Sequence, residues 1–178
     1  MAEELTMQEL FNTYTNPELV KEATSRPTIR GGDYLLTAKK VTPRVADERS
    51  PWPGRKTLNV QYQAEKDGAS VGTLFAEFDF DKEQAEKHRT KTGRLDVPAR
   101  LWGHVVEAMD AGEKSVGETI ERILAYPVIG RVQETFVTGT DDGGNNVYKN
   151  PKSEEERADF LRKGFDAFNK ISSIRKVQ

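Results

Sequence analysis

At 178 residues, with 35% hydrophobic and 31% charged side chains, the chain is long enough for one domain with a single core and short for two. It has no cysteine, which excludes disulfides and thiolate metal sites and fits a reducing compartment, and its net charge of −2 selects no class of partner. No apolar window approaches the roughly 18 residues of a membrane span, and the acidic opening "MAEELTMQELF" lacks the basic and apolar segments of a secretory signal, so we expect a soluble, cytoplasmic protein with no membrane partner.

In chain order, residues 1–26 read as a helical extension. Thr6 and Glu9 have capping-box spacing, in which a hydroxyl takes the N3 amide and the carboxylate reaches back. Asn16-Pro17 then places an N-cap before proline at N1. After Gly31-Gly32 the period becomes two. In "DYLLTAKKV", Tyr34, Leu36 and Ala38 share one face, and Leu35, Thr37 and Lys39 the other. "VTPRVADERSPWPG" reads as a long loop, because none of its three prolines suits a central strand. "KTLNVQYQA" alternates again, with Leu58, Val60 and Tyr62 inward and Thr57, Asn59 and Gln61 outward. "KDGAS" is a hairpin turn into a third strand, which points Leu74, Ala76, Phe78 and Phe80 one way and Thr73, Phe75, Glu77 and Asp79 the other.

The polar run Lys82–Arg94 reads either as an exposed helix or as an irregular excursion. A helix then opens at Asp96-Val97-Pro98 with Leu101, Trp102, Val105, Val106 and Met109 on one stripe. Ser115 and Glu118 start another that runs to Pro127. "VIGRVQETFVTG" is a fourth strand, "TDDGGNN" a turn and "VYKN" a short fifth strand. Residues 152–178 read as an amphipathic helix opened by Ser153, with Ala158, Leu161, Phe165, Phe168 and Ile171 on one side.

Catalytic constellations are scarce. His88 and His104 have no second His or Cys at ligand spacing, and no nucleophile elbow or glycine-rich phosphate loop is present. Glu77, Asp79 and Asp81 alternate along one strand and offer the only site for a divalent ion. Solvated strand carboxylates are the commoner arrangement. We therefore expect no enzymatic activity, no cofactor and no metal.

Charge is uneven. Residues 26–66 carry nine Lys or Arg against four Asp or Glu, a surplus of five in a chain that is acidic elsewhere. Single-stranded nucleic acid is held by cations along its phosphates and by rings on which its bases stack. The loop Thr42–Lys56 has both, with Arg44, Arg49, Arg55 and Lys56 around Trp52. Trp52 reads either as a base-stacking ring or as a clamp of its own loop on the core. Phe75, on an otherwise polar face beside Asn59 and Gln61, reads either as a second stacking ring or as a ring covered by a terminal helix.

The element order is that of the five-stranded Greek-key barrel called the OB-fold, with a helical insertion between strands three and four. The expected architecture is therefore an OB-like barrel over residues 27–151, with appended N- and C-terminal helices. More specifically, "GGDYLLTAKKV", "KTLNVQYQ", "LFAEFDF", "YPVIGRVQETF" and "NNVYKN" resemble phage-encoded single-stranded DNA-binding proteins over about two thirds of the chain. The resemblance implies a non-enzymatic protein of the host cytoplasm that coats single-stranded DNA in replication or recombination. Replication or recombination proteins, or a second copy of the chain, would be its further partners. It also implies two loops rimming a groove across strands two and three, at Arg44–Lys56 and Thr138–Lys149. The residues expected to meet DNA are Lys39, Arg44, Arg49, Trp52, Arg55, Lys56, Asn59, Gln61, Phe75, Arg131, Tyr148 and Lys149. Members of that group end in an acidic tail, whereas this sequence ends "IRKVQ". The rival readings are a protein-docking module and a Mg²⁺-dependent nuclease built on Glu77, Asp79 and Asp81.

Overall fold

The computed structural model describes residues 28–178; the expected N-terminal helices lie outside the described residues. Within that span the strands are β1 (Gly32–Val45), β2 (Lys56–Lys66), β3 (Ala69–Phe78), β4 (Val128–Thr140), β5 (Asn146–Lys149) and β6 (Ala167–Lys176). The helices are α1 (Lys82–Lys87), α2 (Val97–Ala108), α3 (Val116–Ala125) and α4 (Glu154–Arg162). The strands form one antiparallel sheet in the order β3-β2-β1-β4-β5, and β6 pairs with β4. Both edges of β4 are used: Val128 faces Leu36 and Lys176, and Phe136 faces Lys149 and Ala167. The fold is thus a β-rich α+β sheet that does not close.

Alternation supplies the core. Tyr34, Leu36 and Ala38 of β1, Leu58, Val60 and Tyr62 of β2, and Leu74, Ala76 and Phe78 of β3 are buried on one face. Leu101, Val105 and Met109 of the α2 stripe and Ile123 of α3 cover them. Helix α3 starts on the expected capping box: the Ser115 amide donates to Glu118 Oε2 at 2.8 Å, and the Glu118 amide to Ser115 Oγ at 3.2 Å. Between β3 and β6 there is no ladder, and Ile29 fills the seam. Its backbone N–H and C=O both bond the Asn169 side chain, at 2.8 and 2.7 Å, and its Cγ2 packs over Gly72, 3.1 Å from where a Cβ would stand.

Three expectations are corrected. Strand β1 continues through Pro43 to Val45. From Thr37 onward β1 pairs with β2 alone, so on its free edge a residue without an amide hydrogen forfeits no ladder bond. Strand β3 stops at Phe78, and Asp79 turns inward. The C-terminal helix ends at Arg162, Gly164 takes φ +68°, and Phe168 and Ile171 belong to β6. Ile171 and Ile174 both face inward although three residues apart, because Ser172 is an extra residue in a bulge between the Ile171–Val132 and Ser173–Arg131 pairs. That bulge imitates helical spacing in the sequence.

Helix α4 covers a second, smaller cluster in which Phe160 lies 5.2 Å from Phe136 and 5.8 Å from Phe165. The same helix neutralises a buried carboxylate: Glu134, 2% exposed, accepts from Arg157 at 2.6 and 2.9 Å and from the Thr28 hydroxyl at 2.9 Å.

Gly130 stands where Leu36 crosses β4, and an added Cβ would lie 2.1 Å from Leu36 Cδ1. Gly130→Ala should therefore destabilise the protein by about 1 to 3 kcal/mol, the usual cost of overpacking a core, measured as a lowered urea midpoint at unchanged slope.

Candidate functional site

The outer face of β1–β3 is built by register. Lys40, Gln61 and Phe75 stand opposite one another across the three strands, and Thr42, Asn59 and Glu77 form the next such row. Arg44 faces Thr57 beyond them. Neighbouring strands are about 4.8 Å apart and each residue advances about 3.3 Å, so these rows cover a face of about 10 by 13 Å. Phe75 is 43% exposed, and Asn59 and Gln61 are half-buried. Lys40 occupies this face because β1 bulges: Ala38 faces Tyr62 and Lys40 faces Gln61, which makes Lys39 the extra residue. Lys39, expected on the outer face by alternation, is displaced from the row, and the sequence reading missed Lys40. The adjacent lysines of "AKKV" were the only trace of it.

At the end of the face stands the β1–β2 loop. Ala46 N–H donates to Arg55 O and Gly54 N–H to Ala46 O, both at 2.8 Å, which closes its base. Gly54 has φ +76°, a conformation that glycine supplies without strain. Trp52, 48% exposed, stands with its ring centroid 4.4 Å from that of His88, just past α1. The ring therefore rests on one imidazole rather than on the main core, and its remaining surface borders a cleft of about 160 Å³ shared with Arg44, Ser50 and Thr57. Arg49 and Lys56 are exposed beside it. Two carboxylates, Asp47 and Glu77, also line this cleft. Glu77 accepts the Thr57 hydroxyl at 2.8 Å, and Asp47 Oδ1 takes the Arg49 amide at 3.0 Å.

Arg55 also lines this cleft, but its guanidinium is turned inward. It is 8% exposed, and its guanidinium reaches Asp79 at 2.7 and 2.9 Å and Asp96 at 2.9 and 3.0 Å. Burial alone would lower its pKa, but the hydrogen bonds to Asp96 and Asp79 outweigh it and raise the value above the ordinary one, so the group stays charged. The network explains a local oddity: Asp96 is the N-cap of α2 yet makes no side-chain cap bond, because both its oxygens serve Arg55. It also disperses the three carboxylates of the nuclease reading. Asp79 is bound by Arg55, Glu77 by Thr57, and Asp81 caps α1 through the amides of Glu83 and Gln84. Among the described residues no group of three or more His, Asp or Glu is placed to hold a metal ion. Nor is any described helix long and apolar enough to cross a membrane.

The remaining expected residues lie elsewhere. Strand β4 runs antiparallel to β1 from the Val128–Leu36 pair to the Val132–Gly32 pair, so the β4–β5 hairpin extends past the N-terminal end of β1, whereas the Trp52 loop follows its C-terminal end. The two expected rims therefore sit at opposite ends of β1. Arg131 faces Asp33, 3.7 Å away, in an exposed pair. Tyr148, 56% exposed, meets Phe168 edge-to-face at 5.9 Å, and Lys149 is exposed at the end of β5.

Removing one partner from a buried ion pair strands the other charge, at a typical cost of about 3 to 5 kcal/mol. Arg55→Ala should lower stability by that order, read from denaturant melts, with Asp79→Ala close behind. Comparison with protein-family models, curated proteins and solved structures finds no match to this chain.

Proposed function

We propose that this protein binds single-stranded DNA with little sequence preference, as a coating protein of phage-type replication or recombination, on the outer face of β1–β3. The observation that carries the reading is the row of Lys40, Gln61 and Phe75, continued by Asn59, Thr42 and Arg44 toward the half-exposed Trp52. It combines a cation at the edge, amides that hydrogen-bond base edges, and rings for stacking, which is the chemistry that holds unpaired nucleotides. Of the cations of segment 26–66, Lys40 and Arg44 stand on this face and Arg49 and Lys56 are exposed at its loop end. Antiparallel strands in the order β3-β2-β1-β4-β5, with helices between β3 and β4, support an open OB-type sheet. The resemblance to phage-encoded single-stranded DNA-binding proteins points the same way. Lys40 replaces Lys39, and Arg55 leaves the contact set for the interior.

Fluorescence anisotropy with labelled oligothymidylate at low salt tests the proposal. Binding should weaken steeply with salt, because neutralised phosphates release counterions, with a slope of about 0.7 per phosphate contact. Lys40→Glu and Arg44→Glu should each weaken binding and flatten that slope. Phe75→Ala should cost about 1 to 3 kcal/mol of affinity with little change in stability, since the ring is already half in water. Glu77→Gln should tighten binding by removing the carboxylate of the face while keeping an oxygen for Thr57. Trp52 fluorescence should quench, with Trp102, packed on Phe78 and Phe80, as a constant background. Absence of binding by the unmodified protein at low salt would overturn the reading.

A further inference from the structure

The cleft between β5 and β6 has no role in the face just described. It has a volume of about 450 Å³ and is lined by Gln133, Thr135, Tyr148, Asn150, Phe168 and Lys170. None of these residues lines the Trp52 cleft or stands in the cross-strand rows of β1–β3. It also differs from the satellite core: Phe136, Phe160 and Phe165 lie under α4, whereas Tyr148 and Phe168 are 56% and 41% exposed.

The chemistry of the lining is selective. Tyr148 and Phe168 meet at 86° with centroids 5.9 Å apart. With the rings at right angles and both residues exposed, a base can lie flat on one ring while its edge meets the other. The Asn150 Oδ1 atom accepts the Thr135 hydroxyl at 2.8 Å, which fixes the amide and leaves its N–H donors without a partner among the described residues. Gln133 stands opposite Lys170 across the β4–β6 ladder and is exposed. The lining holds one ammonium group and no carboxylate, so its charge complements an anion. Flat rings, amides able to pair with base edges and a cation make a station for one nucleotide of an unpaired strand. An apolar peptide would leave the amides and Lys170 unmatched.

We propose that this cleft is a second nucleotide-binding subsite, stacking one base on the Phe168 ring beside Tyr148 and holding a flanking phosphate at Lys170. The proposal rests on the single-stranded DNA reading and deepens it: a strand engaged on β1–β3 passes round the sheet to β5–β6, so that only longer strands use both stations.

Anisotropy with oligothymidylates of about 5 and about 20 nucleotides, bracketing the usual span of such folds, tests it on the full chain. Phe168→Ala and Lys170→Glu should each weaken binding of the long strand about tenfold and leave the short strand, held by β1–β3, unchanged. Lys170 is exposed, so Lys170→Glu should keep the fold even if Phe168→Ala loosens β6, and a circular-dichroism melt verifies it. Unchanged affinity for both lengths would overturn the second subsite while the β1–β3 reading stands. Equal weakening for both lengths would also overturn it, as it would make the two faces one site. If the unmodified protein binds neither length, the single-stranded DNA reading fails and the subsite fails with it.

Discussion

The buried contact of Arg55 with Asp79 and Asp96 continues the β2–β3 pairing past its last rung, Leu58–Phe78, and ties the root of the β1–β2 loop and the end of β3 to the start of α2, which no ladder reaches. A charge taken out of water has to be matched, so the loop, strand end and helix start are located relative to one another by the geometry of one guanidinium. A backbone bond from Asp79 N–H to Pro98 O, 3.1 Å, runs alongside. The position of Trp52 follows from this. Its loop leaves from Val45 and returns through Arg55, and α1, whose C-terminal His88 supports the ring, follows directly from Asp79 and Asp81.

Around that anchor the sheet wraps α2 without closing. Closure would need β3 to pair with the far side, where β6 lies, and the intervening gap is occupied by Ile29, held by the two arms of one amide side chain. An asparagine that both donates to and accepts from a single residue reproduces locally what a strand partner would do. Among the described residues the unclosed sheet leaves β1 beyond Leu36, β3 and β6 each with one edge unpaired, and it leaves two outer faces of different make-up.

Those two faces share a pattern: half-exposed rings beside amides and lysines, on strands whose opposite sides build the core. A net charge of −2 conceals it, because it also counts acidic residues away from both faces, as in the first turn of α4, along α3 and in the β4–β5 turn. Local composition on a face, not bulk charge, sets what a surface attracts. The carboxylates that do stand near the first face are engaged by Thr57 and by loop amides.

The sequence by itself determined the alternating strands, the helical insertion opened by Asp96 and Ser115, and the turns at Asp67-Gly68 and Asp141–Asn145, because these depend on local periodicity, capping and backbone preference. It also singled out Asn59, Gln61 and Phe75, which alternation places on the outer face without any knowledge of partners, and Trp52, by the prolines and cations of its loop. Only the tertiary structure decided the rest. Arg55 is indistinguishable from its basic neighbours until the distant Asp79 and Asp96 come within bonding distance. Lys39 and Lys40 exchange roles through a bulge that exists only in register with β2. Phe168 and Ile171 carry a helical spacing, yet β4 offers a second edge that makes them a strand, in which Phe168 turns outward and Ile171 inward. In each case the deciding partner lies far along the chain, where no local pattern records it.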